Sequence, residues 1–110
     1  MKKIKVYEID PETGGIYPTK EFITLLRRYD RQIPFSKLLE MLKQGWAYSK
    51  SGYYKLDKEK KLLHLSTAGW SGNEEIMRAI LCNPQMEKYM FLLEYKQGGH
   101  YLFRIWRDVK

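Results

Sequence analysis

Apolar and polar positions along the 110 residues repeat with two different periods, and the places where the period changes mark the elements. Lys3 to Ile9 alternates as a half-buried strand does and runs into the turn-forming Asp10-Pro11-Glu12-Thr13-Gly14-Gly15. Thr19 stands where a helix cap is needed, and Phe22, Ile23, Leu25, Leu26 and Tyr29 follow at helical spacing, predicting a helix to about Arg28. A second helix, starting near Pro34 or Ser36, carries Phe35, Leu38, Leu39, Met41 and Leu42 and stops at Gly45, a residue type common just past helix ends. These two helices are expected to form an antiparallel pair whose Leu and Met stripes belong to the core. The aromatic stretch Gly45 to Gly52 has no clear period.

Beyond it, Tyr53 to Leu56 and Lys61 to Thr67 flank the polar turn Asp57-Lys58-Glu59-Lys60 as a hairpin. A helix is expected from Ser71 to about Cys82, ended by Asn83-Pro84, and a second hairpin joins Lys88–Lys96 to His100–Arg107 around Gln97-Gly98-Gly99. A three-residue loop with Gly99 left-handed pairs Tyr95 with Tyr101, Leu93 with Phe103 and Phe91 with Ile105, giving one apolar face. The opposite face then holds Glu94, Lys96, His100 and Arg104, with Met90, Leu92, Leu102 and Trp106. By the same parity His64 and Ser66 share that face, and Arg104 lies beside Glu94 as an ion pair. The expected fold is α+β: an antiparallel sheet of about four to five strands, two hairpins plus the N-terminal strand, packed with about three helices in a single domain spanning 1–110.

Composition narrows the class. Hydrophobic residues make up 44% of the chain, enough to build a core and far from the signature of disorder. Cys82 is the only cysteine, which excludes an intramolecular disulfide and fits a reducing compartment, so the expected location is cytoplasmic. No run approaches the roughly 18 apolar residues of a membrane span, and none follows the basic N-terminus as in a signal peptide, so no membrane role is expected. The net charge of +7 is spread from Lys2 to Lys110, which favours anionic partners, nucleic acid among them, without selecting one.

The chemistry-bearing residues gather at the junction Ser66-Thr67-Ala68-Gly69-Trp70-Ser71-Gly72-Asn73-Glu74-Glu75. Ser71 and Glu74 have the spacing of a capping box, in which each side chain serves the other residue's amide. A helix start also attracts phosphate, but Glu74 and Glu75 would repel it; outward-facing, they would instead accept a sugar hydroxyl, an amine or a partner's arginine. Trp70 reads either as a plug over the core or as a stacking platform. His64 and His100 with Ser66 and Glu74 or Glu94 supply the residue types of a nucleophilic relay or a metal site, yet neither the spacing nor a nucleophile elbow supports either chemistry. No pattern calls for a cofactor.

The segments Leu63-His64-Leu65-Ser66-Thr67-Ala68-Gly69-Trp70-Ser71-Gly72-Asn73-Glu74-Glu75-Ile76 and Gly98-Gly99-His100-Tyr101-Leu102-Phe103 resemble a group of small bacteriophage-encoded proteins, mostly of unassigned role. These share a Thr-x-Gly-Trp-Ser-Gly-x-Glu segment followed by a Gly-Gly-His-Tyr hairpin. The resemblance spans roughly Leu62 to Phe103. It implies an accessory protein of the infected bacterial cytoplasm that counters host defence or redirects host machinery, acting by binding more than by catalysis. With the residues it suggests a non-enzymatic site for an anionic, nucleotide-like molecule formed by Ser66, Thr67, Trp70, Ser71, Asn73, Glu74, His100 and Arg104. The alternatives are a host-protein inhibitor using an aromatic face of Trp46, Tyr48, Tyr53 and Tyr54, and a sequence-independent nucleic-acid binder. The oligomeric state, a homodimer included, is left open.

Overall fold

A computed structural model describes residues 4–106; the expected strand positions Lys3 and Arg107 lie outside them. The architecture is α+β, with helices α1 (Lys20–Arg28), α2 (Phe35–Gly45) and α3 (Ser71–Leu81) and two antiparallel sheets. The larger sheet is built from the two expected hairpins, β3 (Tyr54–Asp57) with β4 (Leu62–Ser66) and β5 (Met90–Lys96) with β6 (His100–Ile105). It is one layer in the order β3-β4-β6-β5, because β4 pairs with β6.

The N-terminal strand does not join that layer. β1 (Tyr7–Ile9) pairs instead with β2 (Ile16–Pro18), a strand absent from the sequence reading, so the described residues form six strands where four to five were expected. Three residues ending in proline carry little strand signal, and proline is tolerated there because the ribbon edge needs no donor. The turn between them closes through bonds from the Asp10 amide to the Gly15 carbonyl and from the Gly14 amide to the Asp10 carbonyl, each 2.8 Å, with Gly14 left-handed.

The Thr19 cap forms as expected, its hydroxyl oxygen accepting from the amide of Phe22 at 3.1 Å. The antiparallel pairing of α1 with α2 is not what forms: α1 packs chiefly against α3. The cause sits just past α3, where the Asn83 amide donates to the carbonyls of Leu26 (2.8 Å) and Tyr29 (3.0 Å), groups the end of α1 leaves unsatisfied. Gly45 also has a different role from the one its position suggested. It is the last residue of α2, and a Cβ there would meet Val6 at 2.9 Å and Phe22 at 3.2 Å, so it is small to admit neighbours, not to adopt a left-handed turn.

One cluster of buried side chains joins the helices to the inner face of the large sheet, through Leu63, Leu65, Phe103, Ile105 and Met90. That list departs from the expected register. Tyr95 does face Tyr101 across a three-residue loop with Gly99 left-handed, but a bulge at Leu93 puts Leu92 opposite Phe103 and Met90 opposite Ile105. Phe91 and Leu93 therefore point outward, 43% and 45% exposed. Met90-Phe91-Leu92-Leu93 is apolar at every position, so alternation along it cannot fix which face turns inward, and one inserted residue reverses the face.

Replacing Gly45 by alanine should lower stability by about 1–3 kcal/mol through overpacking against Val6 and Phe22, although the same change on an open helix face is favourable. Urea unfolding of the two proteins measures this difference. Burial first, with neighbouring acidic groups second, pushes the phenols of Tyr29 and Tyr54 up to about 12. The unfolded chain ionises these groups near 10, so stability is unaffected below that pH and falls as pH rises from about 10 to 12. Unfolding midpoints collected across this range, with tyrosinate absorbance alongside, are expected to show that loss.

Candidate functional site

The residues singled out at the β4–α3 junction do not line one pocket. Thr67, Ala68, Gly69 and Trp70 make a tight turn closed by the Trp70 amide donating to the Thr67 carbonyl at 2.8 Å. Ala68 (φ 54°) and Gly69 (φ 70°) are both left-handed, the backbone of a type I′ turn. This turn makes Trp70 the residue that caps α3, and the capping box does not form. Ser71 is the first helical residue, no side chain caps the helix, and the Glu74 amide donates to the Trp70 carbonyl at 3.0 Å. Glu75, proposed above as an outward acceptor, takes the Tyr17 hydroxyl at 2.6 Å; that bond is the first cause raising the Tyr17 phenol above its ordinary range.

Asn73 is fully buried and serves the backbone. Its side-chain oxygen accepts from the Ala47 amide at 2.8 Å, and its nitrogen donates to the carbonyls of Ala47 (3.2 Å) and Thr67 (3.4 Å). Thr67 is buried as well, its amide donating to the Gly99 carbonyl, with its side chain against Gly99 where any Cβ would collide. Thr67 and Glu74 border a cleft of about 440 Å³ with Tyr95 and Tyr101.

His64, Ser66, His100 and Arg104 do lie on the outer face of the large sheet, as parity predicted. Ser66 stands directly opposite His100, and His64 opposite Leu102. Arg104 is opposite Leu62, four residues along β6 from His100, about 13 Å away at strand spacing. The Arg104–Glu94 ion pair is not formed: the bulge carries Glu94 opposite Leu102, and its carboxylate meets Lys96 at 3.4 Å. The Ser66 hydroxyl is buried without a hydrogen-bond partner. The outer face is a sheet surface with dispersed polar groups, and none of these four residues lines a pocket with Trp70.

Trp70 instead borders a different cleft, of about 620 Å³, that sequence reasoning missed. One wall is the β1–β2 ribbon with Tyr7 and Gly15; the other is the last turns of α2, with Glu40 and Lys43, and the segment through Tyr48 to Lys50. Trp70 is half-buried, so it is neither a plug nor a free platform. Its indole N–H donates to the Ile16 carbonyl at 2.9 Å, and its ring lies so close to Gly15 that a Cβ there would sit 2.6 Å from it. With the Tyr17–Glu75 bond, this docks the ribbon onto the start of α3. Trp46 lies beneath, 1% exposed, its indole N–H donating to the Ser66 carbonyl at 3.0 Å.

Tyr48 completes the cleft in an unusual way. Its backbone is left-handed (φ 61°, ψ 27°) where the chain enters a short 3₁₀ turn, Ser49–Ser51. A residue with a Cβ pays about 1–2 kcal/mol for that conformation. The ring is 54% exposed yet meets Trp70 edge-on at 6.0 Å and Tyr53 at 6.2 Å. The aromatic face proposed from sequence is accordingly corrected: Trp46 and Tyr54 are core, Tyr53 is half-buried, and Tyr48 alone of the four is exposed. The signal that could have located the cleft was the clustering of Trp46, Tyr48 and Lys50 in the stretch without a period, just after Lys43.

Among the described residues no group of three His, Cys, Asp or Glu side chains could hold a metal ion, and no helix is long and apolar enough to cross a membrane. Asn73→Ala should cost about 2–3 kcal/mol, because it strands buried backbone groups of Ala47 and Thr67, whereas Ser66→Ala should be neutral or slightly stabilising. Thermal unfolding of both variants checks the contrast. No protein-family model, curated protein or solved structure matches the chain, so its function has to be read from the cleft itself.

Proposed function

We propose that this protein binds a flat, anionic, nucleotide-like molecule in the cleft between the β1–β2 ribbon and the end of α2, without catalysing its conversion. The observation that carries this reading is Tyr48, an exposed ring held by left-handed backbone edge-on to Trp70. Strained backbone persists where surrounding structure enforces it, and such positions gather at binding sites. Tyr7, Tyr48 and Trp70 offer faces on which a base stacks. Lys43 and Lys50 at the rim supply charge for a phosphate, and Glu40 and Gln44 supply hydrogen-bonding groups for sugar or base edges. The cleft volume falls within the range of small-molecule sites. The resemblance to phage accessory proteins would put such a binder in an infected bacterial cytoplasm, where sequestering a nucleotide blunts host defence.

A second reading, inhibition of a host protein, is favoured by a different surface. Phe91 (43%), Leu93 (45%) and Trp106 (55%) are exposed, Phe91 and Trp106 with ring centres 6.3 Å apart. Capture of a stoichiometric bacterial protein that is lost in Trp106→Ala and kept in Tyr48→Ala would decide for that surface.

Linear and cyclic nucleotides titrated into the protein should quench the emission of Trp46 and Trp70 and release heat in calorimetry. Tyr48→Ala should weaken binding about tenfold or more, as loss of one base–aromatic stack is worth about 1–3 kcal/mol. No quench and no heat with any purine or pyrimidine nucleotide would sink the proposal.

A further inference from the structure

The aromatic cleft does not end at α2. Glu40 and Lys43 border it and also border a second cleft, of about 940 Å³, between α2 and the β3–β4 hairpin. The two adjoin across one exposed face of the helix. Lys37, Glu40 and Lys43 recur along that face at three-residue steps, within one stripe of the helix surface. Lys58, on the β3–β4 turn, faces them from the far wall. The second cleft differs in character from the first. Its one aromatic, Tyr54, is buried with its hydroxyl donating to the Leu39 carbonyl, so it offers no stacking surface. One of its two acidic groups, Asp57, already accepts from the Lys60 amide at 3.0 Å. About the trough Lys37, Lys43 and Lys58 outnumber Glu40 and Asp57, leaving its lining net positive.

We infer that the two clefts form one groove for a short single-stranded nucleic acid, with bases stacking at the Tyr7–Tyr48–Trp70 end and the phosphate backbone following Lys43, Lys37 and Lys58. The inference rests on the nucleotide reading of the first cleft and extends it from a monomer to a strand. A positively charged track with aromatic platforms is the arrangement that single-strand binding requires. Lysines suit it because they are mobile point charges that neutralise phosphates without reading base edges, so recognition is independent of sequence. A duplex is not the fit, since its bases are already stacked and unavailable to Tyr48 and Trp70. The net charge of +7 assists encounter with any such strand.

The test uses the full chain and compares thymidine monophosphate with oligo-dT of two, four and eight nucleotides, and uridine monophosphate with the matching oligo-rU, by tryptophan quenching. The expected result, in either series, is a dissociation constant at least tenfold lower for the octamer than for its monomer. Log affinity for the octamer should fall with log salt at a slope of about −2, from about 0.7 per phosphate neutralised by three lysines. Lys58→Ala should take back several-fold of the octamer's gain while leaving the monophosphate's affinity unchanged. Lys58 is exposed in a turn, so its loss leaves the fold intact. Equal affinity for monomer and octamer in both series, or an octamer gain untouched by Lys58→Ala, overturns the groove and leaves the nucleotide cleft standing. Failure of every monomer and oligomer to bind overturns both.

Discussion

One side chain amide holds together the parts from which the cleft is made. Asn73 lies in the first turns of α3, fully enclosed, and bonds both backbone groups of Ala47 as well as the Thr67 carbonyl. It thereby fastens three segments distant in sequence: the chain leaving α2, the turn leaving β4, and α3 itself. Because the bonded groups are shielded from water, they have no alternative partner, and the arrangement is far more costly to break than to keep. Trp46 can stay buried beneath the cleft, and Tyr48 can be held in a backbone conformation it would otherwise leave, because the residue between them is pinned on both its amide and its carbonyl.

The other wall depends on contacts of a different kind. The β1–β2 ribbon is too short to be stable alone. It is held by its attachment to α3, where Trp70 donates to Ile16, Tyr17 donates to Glu75, and Gly72 lets Pro18 and Tyr17 come within about van der Waals distance. The cleft is thus the gap between one element clamped by a buried amide and another tethered by exposed and half-buried bonds. The ribbon wall is the one whose position a ligand can most easily adjust, since local opening free energy falls where buried contacts are few.

Most of the fold was legible because strong periods mark the three helices and two hairpins, and because Thr19 sits where its hydroxyl is needed. What was not legible has physical reasons that differ from place to place. β2 is three residues long and ends in proline. Parity in β5 was undetermined because Met90 to Leu93 are all apolar, and a bulge chose the inward face. The capping box failed because Ala68 and Gly69 turn the chain so that Trp70, not Ser71, stands at the helix start. For the site, the junction drew attention correctly to Trp70, but the remaining residues were grouped by closeness in sequence. His100 and Arg104 do not line the cleft that Trp70 borders, and Asn73 proved to be a fastener of backbone.

The bulge in β5 also bears on how this chain behaves at high concentration. β5 is an outer strand of its sheet, and an outer strand with regular spacing and apolar side chains is a template on which other chains add. Here the extra residue at Leu93 breaks the spacing of the free amides and carbonyls midway, and Glu94 and Lys96 place charge beside the break. The same irregularity that turns Phe91 and Leu93 outward therefore denies them a straight edge to extend. This strand displays hydrophobic groups on its surface while remaining a poor seed for fibrous assembly.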